Sequence, residues 1–579
     1  MLRQILPPAL ALVAALNVAA APALAQAVPA FGNERHYPNA GRGGIVVAGE
    51  EIAAEIGADI LAQGGNAVDA AVATAFALAV TLPRAGNLGG GGFMLVHMRE
   101  TGKTIAIDYR EMAPAAATSD MYIGEDGEVD NQAIRFTRKA AGVPGTVAGL
   151  LHAHEKYGRL SRRAVMAPAI KLAAKGFPTT FYAASMTEDY RDRICAEPAG
   201  CAELFKEGGA SYLPGETMRR RDLAKVLKAV AGKGRDGFYK GWVADLIADD
   251  MAANGGLITR DDLLNYKVVE RTPVTGTYRG YEVHSMPPPS SGGVHIIQML
   301  NILETRAPHQ SANASAESLH FLAETMRLAF ADRAEHLGDP DYTDVPVEGL
   351  VSKTYAQHLA AGINLEKARP SSEIGPGDPY AHESPDTTHF SVIDGDGNMV
   401  SNTYTLNLSF GTGIVVPGTG IFLNNEMDDF SAAPGAPNFY GLIGNEKNAI
   451  EAGKRPLSSM TPVLLLKDGE PFLTTGGAGG SRIITSVLNV ILNVIDRNMN
   501  VADATEAVRI HHQWLPDQIL YERSLSADTV KRLEAMGHKM TPIDWHARPQ
   551  TAVWIDGWAY GHADSRIPGG GACSPDAGC

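Results

Sequence analysis

Hydrophobic spacing changes character along the chain. Up to about residue 386 apolar positions recur mostly at helical intervals. The stretch 52–61 has helical spacing, and Gly64-Gly65-Asn66 breaks it. From 67 to 80 only one charge, Asp69, interrupts a run of Ala, Val, Leu and Phe, which predicts a helix buried on every side. Helical spacing returns at 223–230, 243–251 and 294–304, and at 318–331 as an amphipathic helix. Lys139 to Leu150 opens another helix, punctuated by Pro144 and Gly145, and Thr259 reads as a helix cap. Strands before 387 are few: Gly44-Ile45-Val46-Val47-Ala48, and Ile105-Ala106-Ile107-Asp108-Tyr109 running into Arg110 and Glu111.

Past 387 alternation takes over. Strands are predicted at 390–393, 399–406, 414–416, 420–423, 461–467 and 471–475, with helices at 483–495 and 501–507. Asp394-Gly395-Asp396-Gly397-Asn398 is a hairpin turn between the first two strands, and Asp556-Gly557 joins a terminal hairpin of 553–555 and 558–561. No internal repeat or heptad run is present. Two strand layers must be covered on their outer faces, so helices outside and strands inside are expected.

Two stretches invite chemical readings. Asn87-Leu88-Gly89-Gly90-Gly91-Gly92 resembles a phosphate loop but lacks the Lys-Ser/Thr pair and leads into a strand. Close backbone approach is the better reading. Thr387-Thr388 follows a run rich in Pro, Gly and Ser, 370–379, expected at the surface. A threonine pair opening a strand is ordinarily only that.

Apolar residues make up 45% of the chain and charged ones 20%, as in globular proteins. The net charge of −15 argues against nucleic acid and anionic membranes as partners. Arg3, an apolar run from Ala9 to Leu16 and Ala23-Leu24-Ala25 read as an export signal over 1–25, cut before Gln26. The product is expected to be periplasmic or secreted, without a membrane span. Cys195, Cys201, Cys573 and Cys579 would meet an oxidising compartment, and their three possible connectivities stay open. Neither pair has the spacing or the His partners of a zinc site.

In order, the chain carries Thr387-Thr388-His389, Thr403-Tyr404-Thr405-Leu406-Asn407, Phe410-Gly411-Thr412-Gly413, Asn424-Asn425-Glu426-Met427-Asp428-Asp429, Arg455-Pro456-Leu457-Ser458-Ser459-Met460 and Gly476-Gly477-Ala478-Gly479-Gly480-Ser481. This series closely resembles the small subunit of the γ-glutamyltransferases, which are N-terminal-nucleophile hydrolases. The stretch 64–95 and Asp108-Tyr109-Arg110-Glu111-Met112-Ala113-Pro114 resemble the large subunit.

The resemblance implies a four-layer αββα sandwich built jointly by fragments 26–386 and 387–579. The chain would cut itself between Asp386 and Thr387. Thr387 would then be the nucleophile, with its freed α-amine as base, since an ordinary α-amine titrates at about 7.7–8.0. Thr405 would bond to that residue, and Gly479 and Gly480 would aim N–H groups at the oxyanion. Asn407, Glu426 and Asp429 would take the substrate's α-amine; Arg110, Ser458 and Ser459 would take its α-carboxylate. The loop 430–444, with Tyr440, would form a lid. His389 is expected to be structural, and Glu111 receives no role. Glutathione and related γ-glutamyl compounds would be substrates, amino acids or peptides acceptors, and no cofactor or metal is implied. The rivals are a glutaryl-cephalosporin acylase, which would have less use for Glu426 and Asp429, and an inactive γ-glutamyl-binding protein.

Overall fold

The structure is a computed structural model that describes residues 35–306, 314–375, 387–433, 438–439, 441–442, 444–544, 546–566 and 568–579. The expected leader, Asp386 and, in the expected lid, Tyr440 with 434–437 lie outside the described residues.

Two large sheets carry the fold. Their strands, in chain order, are β1 (Asn39–Gly41), β2 (Gly44–Ala48), β3 (Gly91–Met98), β4 (Lys103–Tyr109), β5 (Val269–Arg271), β6 (Val274–Tyr278), β7 (Tyr281–Ser285), β8 (Thr388–Asp394), β9 (Met399–Thr405), β10 (Val463–Lys467), β11 (Glu470–Thr475), β12 (Gly477–Ala478), β13 (Arg548–Ile555), β14 (Trp558–Ala563) and β15 (Gly571–Cys573). One sheet runs β15–β2–β8–β9–β3–β4–β5. The other runs β1–β14–β13–β11–β10–β7–β6, with β12 on β13. Every ladder in both is antiparallel.

The two-residue period of a strand sorts its side chains between two cores. Ile45, Val47, Phe93, Leu95 and Ile393 face Leu464, Leu466 and Ala552 between the sheets. Val46, Met94, Phe390, Val392 and Val400 point the other way, against helices α1 (Glu51–Ala62) and α2 (Ala67–Thr81). On the far side Val463, Leu465, Leu473 and Val553 pack under α3 (Gly292–Glu304), α4 (Ala316–His336) and α5 (Arg482–Ile495). Three cores separate four layers, helix–sheet–sheet–helix, as expected.

Helix α2 is buried along its whole length and opens on a capping box of Asn66 and Asp69. Its first amide donates to Asp394 Oδ2 (2.8 Å), tying the helix to the β8–β9 turn. The same carboxylate group takes the Asp396 and Asn398 amides, so its oxygens are spent on the turn.

Several expectations need correction. Helix α4 is not amphipathic: it is buried from Leu319 to Arg333 on all sides, polar residues included. The helix expected from Lys139 begins only at Thr146. The strands expected at 414–416 and 420–423 shrink to Val415–Val416 and Ile421–Phe422, paired only with each other. Strands β1, β5, β6, β7, β12 and β15 were not anticipated. Cys195 pairs with Cys201, and Cys573 with Cys579. The second disulfide ties the chain end to β15, at the edge of the first sheet.

Candidate active site

Thr387 stands directly before β8, a central strand held by β2 on one side and β9 on the other. It is 4% exposed. It lines a small pocket together with Arg110, Thr405, Asn407, Glu426, Asp429, Ser458, Ser459 and Gly480. Except for Gly479 next door, and Asp386 and Tyr440 outside the described residues, every residue given a site role from the sequence lines this one pocket. Met460 and Ile483 complete its wall. Met460 ends the quoted motif 455–460 and Ile483 opens the helix expected at 483–495, but neither had been given a site role.

Each wall has a local cause. Thr405 ends β9, and its Oγ1 accepts the Asn407 amide (2.8 Å), where the chain turns through a φ of 71° at Asn407. The glycine loop 89–92 packs here by backbone approach: a side chain at Gly90 would strike the Thr405 carbonyl oxygen, and Asn87 Nδ2 donates to that oxygen (2.9 Å). Glu426 and Asp429 lie on one 3-10 turn, Glu426–Asp429, so spacing of three residues puts both acids on one side. The Ser458 segment is zipped to the loop before α3, its carbonyl taking both the amide and the hydroxyl of Ser291 (2.8 Å each). Gly479 and Gly480 adopt φ of 147° and 58°. Helix α5 begins two residues later, so its positive end faces the same region.

The charges are arranged against each other. Arg110, at the end of β4, is fully buried. Its Nη1 donates to Glu426 and its Nη2 to Asp429 (2.5 Å). The residue expected for the α-carboxylate and the two expected for the α-amine thus engage one another directly. Burial works against the Arg110 charge, but Glu426, Asp429 and Glu111 outweigh it and hold the guanidinium firmly protonated. Burial drives Glu426 well above the carboxylate range, opposed by Arg110 and reinforced by Glu111 and Asp429. Burial likewise pushes Glu111 up to about 7, against the pull of Arg110. Sequence reasoning left Glu111 without a role; it is a buried member of this cluster, 3.5 Å from Arg110.

His389 bridges Thr403 Oγ1 (2.8 Å) and Ser391 Oγ (3.1 Å). Burial lowers its pKa to about 3, so it is a neutral strut. His320, Glu324 and His538 bring possible metal ligands within 4.8 Å of one another. The two imidazoles already bond each other (2.7 Å) and Glu324 takes Arg327. None of the three lines the Thr387 pocket.

Comparison with known proteins gives the same answer from another direction. The Gamma-glutamyltranspeptidase family profile matches residues 53–574. The glutathione hydrolase proenzyme of Escherichia coli K12 is 48% identical over 98% of this chain and 97% of its own. A cephalosporin acylase structure from Bacillus halodurans superposes with a TM-score of 0.82 at 29% identity, covering 94% of this chain and 98% of its own. A chain of the Helicobacter pylori γ-glutamyltranspeptidase structure, 43% identical with a TM-score of 0.56, covers 57% of this chain and 94% of its own. The matched span takes in β8, the Thr387 pocket and nearly all of both sheets, and this chain therefore belongs to the γ-glutamyltranspeptidase family.

Proposed function

We propose that the chain is the precursor of a γ-glutamyltransferase with glutathione hydrolase activity, exported and cut between Asp386 and Thr387 into fragments 26–386 and 387–579. The observation that carries this reading is the pocket itself: a buried threonine at a strand start, faced by a cation, two acids and two serines. A γ-glutamyl group ends in an ammonium and a carboxylate on one carbon, and that pair needs both kinds of partner. The glutathione hydrolase relatives and the partial coverage by the H. pylori chain support the same reading. No helix among the described residues is long and apolar enough to cross a membrane.

In this mechanism the substrate ammonium displaces Arg110 from part of its grip on Glu426 and Asp429, with Asn407 beside them. The freed guanidinium, with Ser458 and Ser459, takes the carboxylate, a fork suited to two oxygens. The Thr387 Oγ attacks the γ-carbonyl carbon while its own α-amine takes the hydroxyl proton. Thr405 orients the Thr387 hydroxyl, and N–H groups at Gly479 and Gly480 stabilise the oxyanion. The C–N bond breaks, the amine proton passes to the leaving nitrogen, and a γ-glutamyl ester remains on Thr387. Water or the amine of an amino acid or peptide then attacks the ester. No step calls for a metal or cofactor. The Tyr440 loop would close over the pocket.

Mass measurement of wild type and Thr387→Ala under denaturing conditions tests the reading. Two wild-type fragments, one beginning at Thr387, an uncut variant, and wild-type turnover of γ-glutamyl-p-nitroanilide are expected. An uncut but active wild type would overturn the mechanism. The cephalosporin acylase reading finds support in the Bacillus halodurans likeness; the paired acids Glu426 and Asp429 favour an amine-bearing substrate over a glutaryl one.

A further inference from the structure

Behind the pocket wall lies a second arginine. Arg333 sits in the last turn of α4 and is 4% exposed. Its Nη2 donates to Ser459 Oγ (3.3 Å) and its Nε to Ser291 Oγ (3.0 Å). Ser291 in turn grips the Ser458 carbonyl. Among the described residues no carboxylate lies within 4.0 Å of Arg333, in contrast to Arg110, which has three acids about it. The neighbouring Asp332 is turned away, taking Gln298 Nε2 (2.5 Å) and the Tyr355 hydroxyl (2.9 Å).

We propose that Arg333 is a positioning residue for the substrate's α-carboxylate, acting through Ser459. Two physical consequences follow from the contacts. A guanidinium only donates, so Ser459 Oγ accepts from it and the single hydroxyl proton is left to donate elsewhere. Ser459 lines the pocket, so that proton is available to a carboxylate there. Second, a buried positive charge with no paired carboxylate makes the Ser458–Ser459 side of the pocket the anion side, even while Arg110 is held by Glu426 and Asp429. Burial pushes Arg333 down to about 10, which still leaves it charged at neutral pH. The C-terminal end of α4 favours a cation at this position as well.

This inference rests on the γ-glutamyl reading, and the test separates the two. Wild type, Arg333→Gln, Arg333→Lys, Ser459→Ala and the Arg333→Gln/Ser459→Ala double variant are first checked for cleavage by mass. Each is then assayed on γ-glutamyl-p-nitroanilide and on 4-aminobutyryl-p-nitroanilide, which keeps the amine and lacks the carboxylate. Arg333→Gln should raise KM for the γ-glutamyl substrate about tenfold or more, with a smaller change in kcat, and leave kcat/KM for the decarboxylated one within about twofold. Arg333→Lys should recover part of the loss, and should show the same substrate split if the Gln variant fails to fold. The double variant should be no worse than Ser459→Ala alone. Equal losses on both substrates, or additive losses in the double variant, would overturn the assignment. Wild type inactive on both substrates would overturn the γ-glutamyl reading and this inference with it.

Discussion

Replacing Asp429 with Asn is the sharpest probe of how the pocket reads its substrate. The change keeps the shape and removes one anion. Asp429 engages Arg110 at 2.5 Å, so on the proposed reading substrate binding would exchange one cation for another. A unit pair about 4 Å apart gains roughly 4 kcal/mol at an effective dielectric of about 20. The exchange returns part of that, and Asp429 retains 11% side-chain exposure, so water screens it further. What survives is the value of a charge-assisted hydrogen bond, about 1.5–3 kcal/mol, or roughly ten- to a hundredfold in KM for γ-glutamyl-p-nitroanilide.

The control substrate is glutaryl-p-nitroanilide, which has the carboxylate and lacks the amine. With no ammonium to bind, it should change by no more than about threefold in the variant. Initial rates of p-nitroaniline release over a substrate series give both constants, on protein whose cleavage has been verified by mass. If both substrates lose equally, Asp429 supports the architecture of Arg110 and does not read the amine. If the glutaryl substrate is the better one in the wild type, the acylase reading takes precedence.

Two further outcomes are expected. Gly479→Ala should lower kcat about a hundredfold or more with little change in KM, because the new Cβ would meet Ala547 Cβ at 2.8 Å at a backbone φ of 147°; a normal kcat would show that close approach there is unimportant. Glu50, the N-cap of α1, is raised by burial from 4.5 to about 7; the folded state holds a proton that the unfolded chain releases, so its contribution is full below about pH 4.5 and is lost as pH rises through 7. Glu50→Gln should therefore remove up to ~3 kcal/mol of the fall in unfolding free energy between those limits, and urea unfolding with the same fall in both proteins would contradict this.

How much of this was legible in the sequence depended on whether the cause was local. The β8–β9 hairpin was, because Asp394-Gly395-Asp396-Gly397 and the flanking alternation are contained in one stretch. Helix α2 was, because a run of 67–80 broken only by Asp69 and Thr74 has no face to offer to water. Strands β6 and β7 were not: Thr275, Thr277, Glu282 and His284 face outward or half-outward, and β6 is the sheet's edge, so little apolar pattern is needed. Gly571-Ala572-Cys573 carries almost no strand preference; β2 and the disulfide to Cys579 hold it in place. Helix α4 misleads most instructively. The stretch 318–331 reads as amphipathic, yet Glu324 and Arg327 within it, and Asp332 and Arg333 just beyond it, each have a buried partner supplied from elsewhere in the chain or from the same helix. Periodicity cannot distinguish a charge facing water from one facing a remote serine. Arg110 is the same case: its partners lie 316 and 319 residues away, and only the family resemblance linked them beforehand.

The sheet order explains why a cut before Thr387 is compatible with a rigid site. Strands from the two sides of that bond are intermixed: β15, β8 and β9 follow it, whereas β2, β3, β4 and β5 precede it. Phe390–Asp394 pair with Gly44–Ala48, and Thr388–Ile393 pair with Met399–Tyr404. The second sheet is interleaved too, with β1 on β14 and β7 on β10. Breaking the 386–387 peptide bond would therefore create a chain end at the start of a central strand, with a ladder on each flank of that strand and cores above and below. A new terminus would ordinarily gain conformational freedom. Here the residue after it, Thr388, is already fixed by β9, so a freed amine would stay beside the hydroxyl of the same residue. In the proposed mechanism nucleophile and base would then need no further ordering before each turnover, the entropy of bringing them together having been met once, during folding.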